Sequence, residues 1–197
     1  MSFLANLQSH KSKLKHCKTI VTTPNGQKYE EMVLPDGNTV SSKIIDSNSP
    51  GFVVDMKPDL KIAEIEPGLL LGSQDVVYDC DLMHSHHITH VLSLGIKPIV
   101  LDVNIVYKCV DLLDVPESNL LDCLDECFYF IDNALNSGGR VYVHCNAGVS
   151  RSPSVVIAYL MKTKTVSYEQ AFLQVKQKRH VINPNPGFIQ QLKTMKI

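Results

Sequence analysis

Residues 140–163, RVYVHCNAGVSRSPSVVIAYLMKT, pass from a short apolar run through a turn containing Gly148 into a helical pattern. The run Val141–Tyr142–Val143 is β-branched and aromatic and is bounded by glycines on both sides, which reads as a buried strand. A strand, a tight loop and a helix beginning near Arg151 follow one another within a dozen residues. Working outward, 60–65 (LKIAEI) and 69–73 (LLLGS) read as short strands, and 74–86 as a helix. The runs 89–94 (THVLSL) and 105–112 (IVYKCVDL) read as further strands. A long amphipathic helix is predicted across 119–139, stopped by Gly138-Gly139, and more helices across 150–163, 167–179 and 185–196. Strands alternating with helices predict an α/β fold whose central sheet, of about five strands, is mostly parallel and flanked by helices. In such a sheet a ligand binds in the loops at the carboxyl ends of the strands.

The loop after Val143 carries chemistry. A helix N-terminus presents unpaired N–H groups, so the segment 146–151 predicts a concavity for an anion. Cys145 stands at the end of the strand, where the helix dipole and the fixed charge of Arg151 would hold its sulfur as a thiolate. Arginine is a pointed choice here, because the chain has only three arginines among 19 basic residues. Its planar fork can grip two phosphoryl oxygens at once, which a lysine cannot do. Transfer of a phosphoryl group to sulfur requires a proton for the departing oxygen. Asp114 begins the turn after the strand at 105–112 and is the predicted donor; Asp111, still inside the strand pattern, is its competitor. Ser152 is placed to hydrogen-bond the sulfur, and His144 to brace the loop through the backbone.

At these residues the sequence resembles the cysteine-dependent protein phosphatases, since HCNAGVSRS (144–152) fits the pattern HCxxGxxR[ST]. More narrowly, the 31-residue spacing from Asp114 to Cys145 and the terminal RHVINPNPGFIQQL resemble the atypical dual-specificity protein phosphatases, including those that regulate stress-activated kinase pathways. The resemblance implies a protein tyrosine phosphatase-like fold. It also implies hydrolysis of phosphotyrosine and phosphoserine/threonine in proteins through a phosphocysteine intermediate, without cofactor or metal. Cys145 would be the nucleophile and Asp114 the general acid and base, with Ser152 and His144 in support. Asn146, Ala147, Gly148, Val149, Ser150 and Arg151 would bind phosphate. The expected partners are phosphoprotein substrates, among them kinases of mitogen-activated pathways. Arg179, Asn185, Phe188 and Gln191 fit the terminal signature, where helix packing is the expected role. Pro116, two residues after the acid, is expected to stiffen its loop. The alternative is a phosphopeptide-binding or scaffold module that holds its ligand without turnover; a lost nucleophile or arginine would favour it, and both are present.

The rest of the chain narrows the reading by exclusion. A formal charge of −1 and a pI near 6.7 predict neither nucleic acid nor an anionic membrane as the main partner. The first 18 residues hold no hydrophobic signal core and no glycine after Met1, so a cytoplasmic location, with nuclear presence open, is expected. Six scattered cysteines suit a reducing compartment; Cys123 and Cys127 are expected to be buried apolar residues. His84, His86, His87 and His90 cross a helix-to-strand turn, where capping and solvated roles outweigh metal binding. The domain boundary is placed near residue 50: an extension across 1–50 with a helix, a hairpin turning at Asn25-Gly26 and a linker tract from Asp36, then a catalytic domain across 51–197.

Overall fold

The computed structural model describes residues 18–22, 28–33, 39–44, 57–97 and 100–195. The chain divides into two compact units, Met1–Lys57 and Pro58–Ile197. In the first, strands β1 (Lys18–Thr22), β2 (Lys28–Val33) and β3 (Thr39–Ile44) form an antiparallel sheet in that order. β1 and β2 pair as the expected hairpin, with Lys18 opposite Met32 and Thr22 opposite Lys28. The linker expectation needs correcting: β3 lies inside the tract read as linker and pairs with β2 from Thr39 to Ile44. Its β-branched Thr39, Val40 and Ile44 suit a strand, and the polar residues around them hid that signal. The helix expected at the start of the 1–50 extension and the Asn25-Gly26 turn lie outside the described residues.

The second unit is built on a five-stranded sheet of order β4-β5-β8-β6-β7. β4 (Ala63–Glu66) is the antiparallel edge, while β5 (Leu69–Gly72), β6 (His90–Leu94), β7 (Val106–Val110) and β8 (Val141–His144) run parallel. The period of two along each strand divides the core. Leu69, Leu71, Leu92, Leu94, Val141 and Val143 point into a large cluster with the long helices. Leu70, Val91 and Tyr142 point the other way, onto Val76, Val77, Met83 and Ile88. Both faces of the central strands are therefore covered, as parallel sheets require.

The helix expected across 74–86 is two pieces, a 3-10 turn at Gln74–Tyr78 and helix α1 (Cys80–Ser85). The Asp79 side chain breaks the run by accepting a hydrogen bond from Leu82 N at 2.9 Å, so it caps a new helix. Helix α2 (Leu124–Asn136) buries Leu124, Cys127, Phe128, Ile131 and Ala134, one helical stripe. It ends where Gly138 N and Gly139 N bond back to Leu135 O and Ala134 O. Helix α3 (Arg151–Lys164) is buried from Ser152 to Met161 and forms the centre of the larger layer. Pro153 sits in its first turn, where a missing N–H costs no intrahelical bond. Helices α4 (Tyr168–Lys178) and α5 (Pro186–Thr194) complete the unit, α4 started by the reciprocal Ser167/Gln170 capping box. Cys123 and Cys127 are buried in the core, the thiol of Cys127 pushed up by its hydrogen bond with Cys123 and by burial. His84 pairs with Asp102 at 2.6 Å and the ring of His90 meets Phe130 edge to face.

Candidate active site

β8 is the middle strand of the sheet and delivers Cys145 at its carboxyl end, with α3 starting six residues later. Between them, five consecutive carbonyls are each bound from outside the loop. Cys145 O accepts from His144 Nδ1 (3.1 Å), Asn146 O from Gln74 N (2.9 Å) and Ala147 O from Arg179 Nη2 (2.9 Å). Gly148 O accepts from Arg179 Nε (2.9 Å) and Val149 O from Asn183 N (2.7 Å). In a planar trans peptide the N–H points opposite to the C=O. Fixing those carbonyls outward therefore turns the amides of Asn146, Ala147, Gly148, Val149 and Ser150 toward the inside of the loop, a nest for an anion. Gly148 has φ +65° and an added Cβ would lie 2.3 Å from Gly72 O, so this corner has room for glycine alone.

The side chains converge on the same cup. Cys145 is 2% exposed, and Ser152 Oγ donates to its Sγ at 3.3 Å. Arg151 is anchored by Nη1 donating to Leu94 O at 3.2 Å, while its Nε is buried with no hydrogen-bond partner. A buried guanidinium N–H left without an acceptor is expensive unless an anion is to meet it. Asp114 Oδ2 stands 3.9 Å from that Nε. Asp114 Oδ1 accepts two hydrogen bonds, from Ser150 Oγ at 2.6 Å and from Asn185 Nδ2 at 2.8 Å.

His144 is buried, and because a carbonyl can only accept, its Nδ1 carries the proton and its Nε2 accepts from Ser93 Oγ at 2.6 Å. Burial pushes its pKa down to about 4, against a smaller opposing effect of the Cys145 carbonyl. A neutral imidazole with both nitrogens occupied braces the loop and does not shuttle protons.

A family model for the dual specificity phosphatase catalytic domain matches residues 69–197. The chain belongs to the dual-specificity phosphatases. It is 40% identical to dual specificity protein phosphatase 19 of Mus musculus over 189 residues, covering 93% of this chain and 84% of that one. The human tyrosine phosphatase-like serine/threonine/tyrosine-interacting protein is similar in structure, with a TM-score of 0.63 at 38% identity, over 66% of this chain and 92% of that one. A crystal structure of DUSP15 is similar at a TM-score of 0.64 and 35% identity, over 67% of this chain and 85% of its own. Like other dual-specificity phosphatases, this chain is a protein phosphatase acting on tyrosine and serine/threonine, through a phosphocysteine intermediate.

Of the two candidate acids, the structure brings Asp114 to the cup. Asp111 instead lines an open groove with Gly95, Ser118, Asp122 and Glu126. Residues of the terminal signature, read from sequence as helix packing, do more than pack. Asn185 accepts from Phe188 N with Oδ1, capping α5, which leaves Nδ2 to hold Asp114. Gln191 spans the loop after the acid, accepting from Leu120 N at 2.7 Å and donating to Ser118 O at 2.8 Å. Gly187 lets Pro116 lie against α5, since an added Cβ would be 2.0 Å from Pro116 O. The acid loop is thus docked on α5 by residues on both sides of Pro116. Phe188, fully buried, keeps the packing role expected of it.

Proposed function

We propose that Cys145, Arg151 and Asp114 perform the phosphatase reaction in two steps. The substrate phosphoryl group enters the cup, with its oxygens on the amides of 146–150 and on the Nε edge of Arg151. The Cys145 thiolate attacks phosphorus, forming the S–P bond as the P–O bond to the substrate side chain breaks. The proton of Asp114 passes to the departing oxygen. Oδ1 already accepts two hydrogen bonds, so the transferable proton belongs on Oδ2, the oxygen facing Arg151. In the second step water attacks phosphorus and gives its proton to Asp114. The S–P bond breaks, and the Ser152 hydroxyl stabilises the returning thiolate.

The observation that carries this reading is the outward capture of the five carbonyls from Cys145 to Val149, which leaves a preformed ring of donors around one sulfur. The test is phosphate release from an aryl phosphate and from phosphotyrosine and phosphothreonine peptides. Wild-type protein should turn over all three, and Cys145→Ser should abolish release while still binding inorganic phosphate. Turnover by Cys145→Ser would overturn the assignment.

We further propose that its substrates are signalling phosphoproteins of mitogen-activated kinase pathways, met in the cytoplasm. Membership of the dual-specificity family supports phosphoprotein substrates, and Asp114→Ala, which stalls before the leaving group departs, provides the trap to identify them.

A further inference from the structure

Arg179 makes two of the five contacts that hold the phosphate loop open, and it does so as a buried cation, 5% exposed. Its Nε and Nη2 take Gly148 O and Ala147 O, its Nη1 takes Lys61 O at 3.2 Å, and Nη2 also meets Asp59 Oδ2 at 2.7 Å. The counter-charge therefore comes from a residue 120 positions earlier, just inside the boundary of the unit that starts at Pro58. Asp59 is itself clamped: its N–H donates to Asp75 Oδ2 at 2.8 Å and its carbonyl accepts from Ser73 Oγ at 2.7 Å. Lys61 N donates to Asp59 Oδ1 at 3.1 Å, which closes the turn and fixes the carboxylate's orientation.

We propose that Asp59 is a positioning residue of the phosphatase, acting on the cup through Arg179. The guanidinium is a rigid fork, so rotating it by one hydrogen bond moves all its partners together. With Asp59 in place, the two carbonyls are held outward and the amides of Gly148 and Val149 are turned inward. Without the carboxylate, Arg179 keeps its charge in a buried site and must reorient toward solvent or another acceptor, which frees the Ala147 and Gly148 peptides to rotate. Asp59 touches neither the phosphoryl group nor the sulfur. The segment that opens the catalytic unit nevertheless sets the geometry of its anion site.

The inference rests on the reading of loop 146–151 as the phosphoryl site, and its test separates the two. In a Cys145→Ser background, where no turnover is needed, inorganic phosphate binding is measured by calorimetry. Asp59→Asn, which keeps shape and removes charge, should weaken binding about 10- to 100-fold, the scale of an angstrom-level misplacement. In the parent enzyme the same substitution should lower kcat/KM for an aryl phosphate by a similar factor without moving the pH limbs of the profile, because the proton donor is untouched. Arg179→Lys, which keeps the charge and loses the fork, should give the same loss, and the double variant should be no worse than either single one. Should Asp59→Asn fail to fold, Asp59→Glu, which retains the counter-charge but displaces it from Arg179 Nη2, is read in its place and should weaken phosphate binding in the same direction; unchanged affinity there overturns the proposal. Unchanged phosphate affinity in a folded variant, or a fall in melting temperature with kcat/KM intact, overturns the proposal. Absence of turnover in the wild type would instead strike at the functional reading and leave the binding comparison standing.

Discussion

Ser150 Oγ donates to Asp114 Oδ1 across 2.6 Å, and the same hydroxyl accepts from Asn185 N at 3.0 Å. One short relay thus ties the phosphate loop, the acid loop and the start of α5 together. In the proposed mechanism Asp114 is aimed by the cup itself, because the loop assigned to phosphate also holds the carboxyl oxygen that is not to carry the proton.

This relay predicts a leaving-group signature. Asn185→Asp keeps the cap on Phe188 N but loses the Nδ2 donor to Asp114. It should lower kcat for a phosphothreonine peptide about tenfold, a fraction of the roughly 10²- to 10⁴-fold that general acid catalysis supplies. An aryl phosphate whose leaving group needs little protonation should be almost unaffected. Steady-state assays on the two substrates check it; equal losses on both would mean the relay does not act through the acid.

Gly187 predicts a separation of acid from cup. Gly187→Ala drives a methyl group into the Pro116 carbonyl, so the acid loop must lift from α5. The expected result is a fall in kcat of about 10- to 100-fold, toward that of Asp114→Ala. The Kd for inorganic phosphate should stay unchanged. Gly148→Ala is expected to do the reverse first: its φ of +65° and the contact with Gly72 O deform the anion site, and phosphate affinity falls before anything else.

Ser152 predicts which step becomes slow. Its hydroxyl lies 3.3 Å from the sulfur, and a hydrogen bond to a charged group is worth about 1.5–3 kcal/mol, or roughly 10- to 100-fold in rate. Ser152→Ala should therefore slow departure of the thiolate from phosphocysteine. Rapid-quench kinetics should show a burst of released alcohol followed by a slow steady state, and the phosphoenzyme should be trappable by acid. A uniform slowing without a burst would place the serine elsewhere in the reaction.

His144 predicts a pH dependence of stability. Its folded pKa of about 4 lies below the 6.5 of the unfolded chain, so between these values the unfolded state binds the extra proton. Stability is then fully present above about pH 6.5 and falls as the pH drops toward 4, by about 3 kcal/mol for this group alone. His144→Asn, which can still donate to Cys145 O, should flatten that part of the urea-midpoint profile. A profile identical to that of the parent would show that another group titrates in this window.

Much of this was legible from sequence because the relevant signals were local. Strand β8, the loop and helix α3 are continuous in the chain, and the period of two in Val141–Tyr142–Val143 fixed which residues entered which core. The strand pattern at 105–112 takes in Asp111, but β7 ends at Val110 and both aspartates follow it; Asp114 is set apart by its contacts with Ser150 and Asn185, which sequence does not show. The outer contacts were illegible for the opposite reason. Arg179 reaches Gly148 across 31 positions and Asp59 across 120, and no periodicity links residues that far apart. Asn185 and Gln191 look like ordinary helix residues until the loop they hold is in view. The break at Asp79 escaped because apolar residues at helical spacing continue on both sides of it, while the capping bond depends on one side-chain rotamer. β3 escaped because its pairing with β2 outweighs the polar composition around it.

The position of β8 has a mechanical consequence. It is bonded along its whole length to β5 on one side and β6 on the other, so Cys145 hangs from a strand with no free edge. Opening the backbone beneath Cys145 means breaking two ladders at once, and such an excursion costs nearly as much as unfolding the sheet. The amide hydrogens of Tyr142 and Val143 should exchange among the slowest in the unit, while those of edge strands β4 and β7 exchange sooner. Heat or denaturant would then fray the rim while the sulfur stays seated, and activity would be lost first through the segments of Asp59 and Asp114, which adjoin the edge strands β4 and β7.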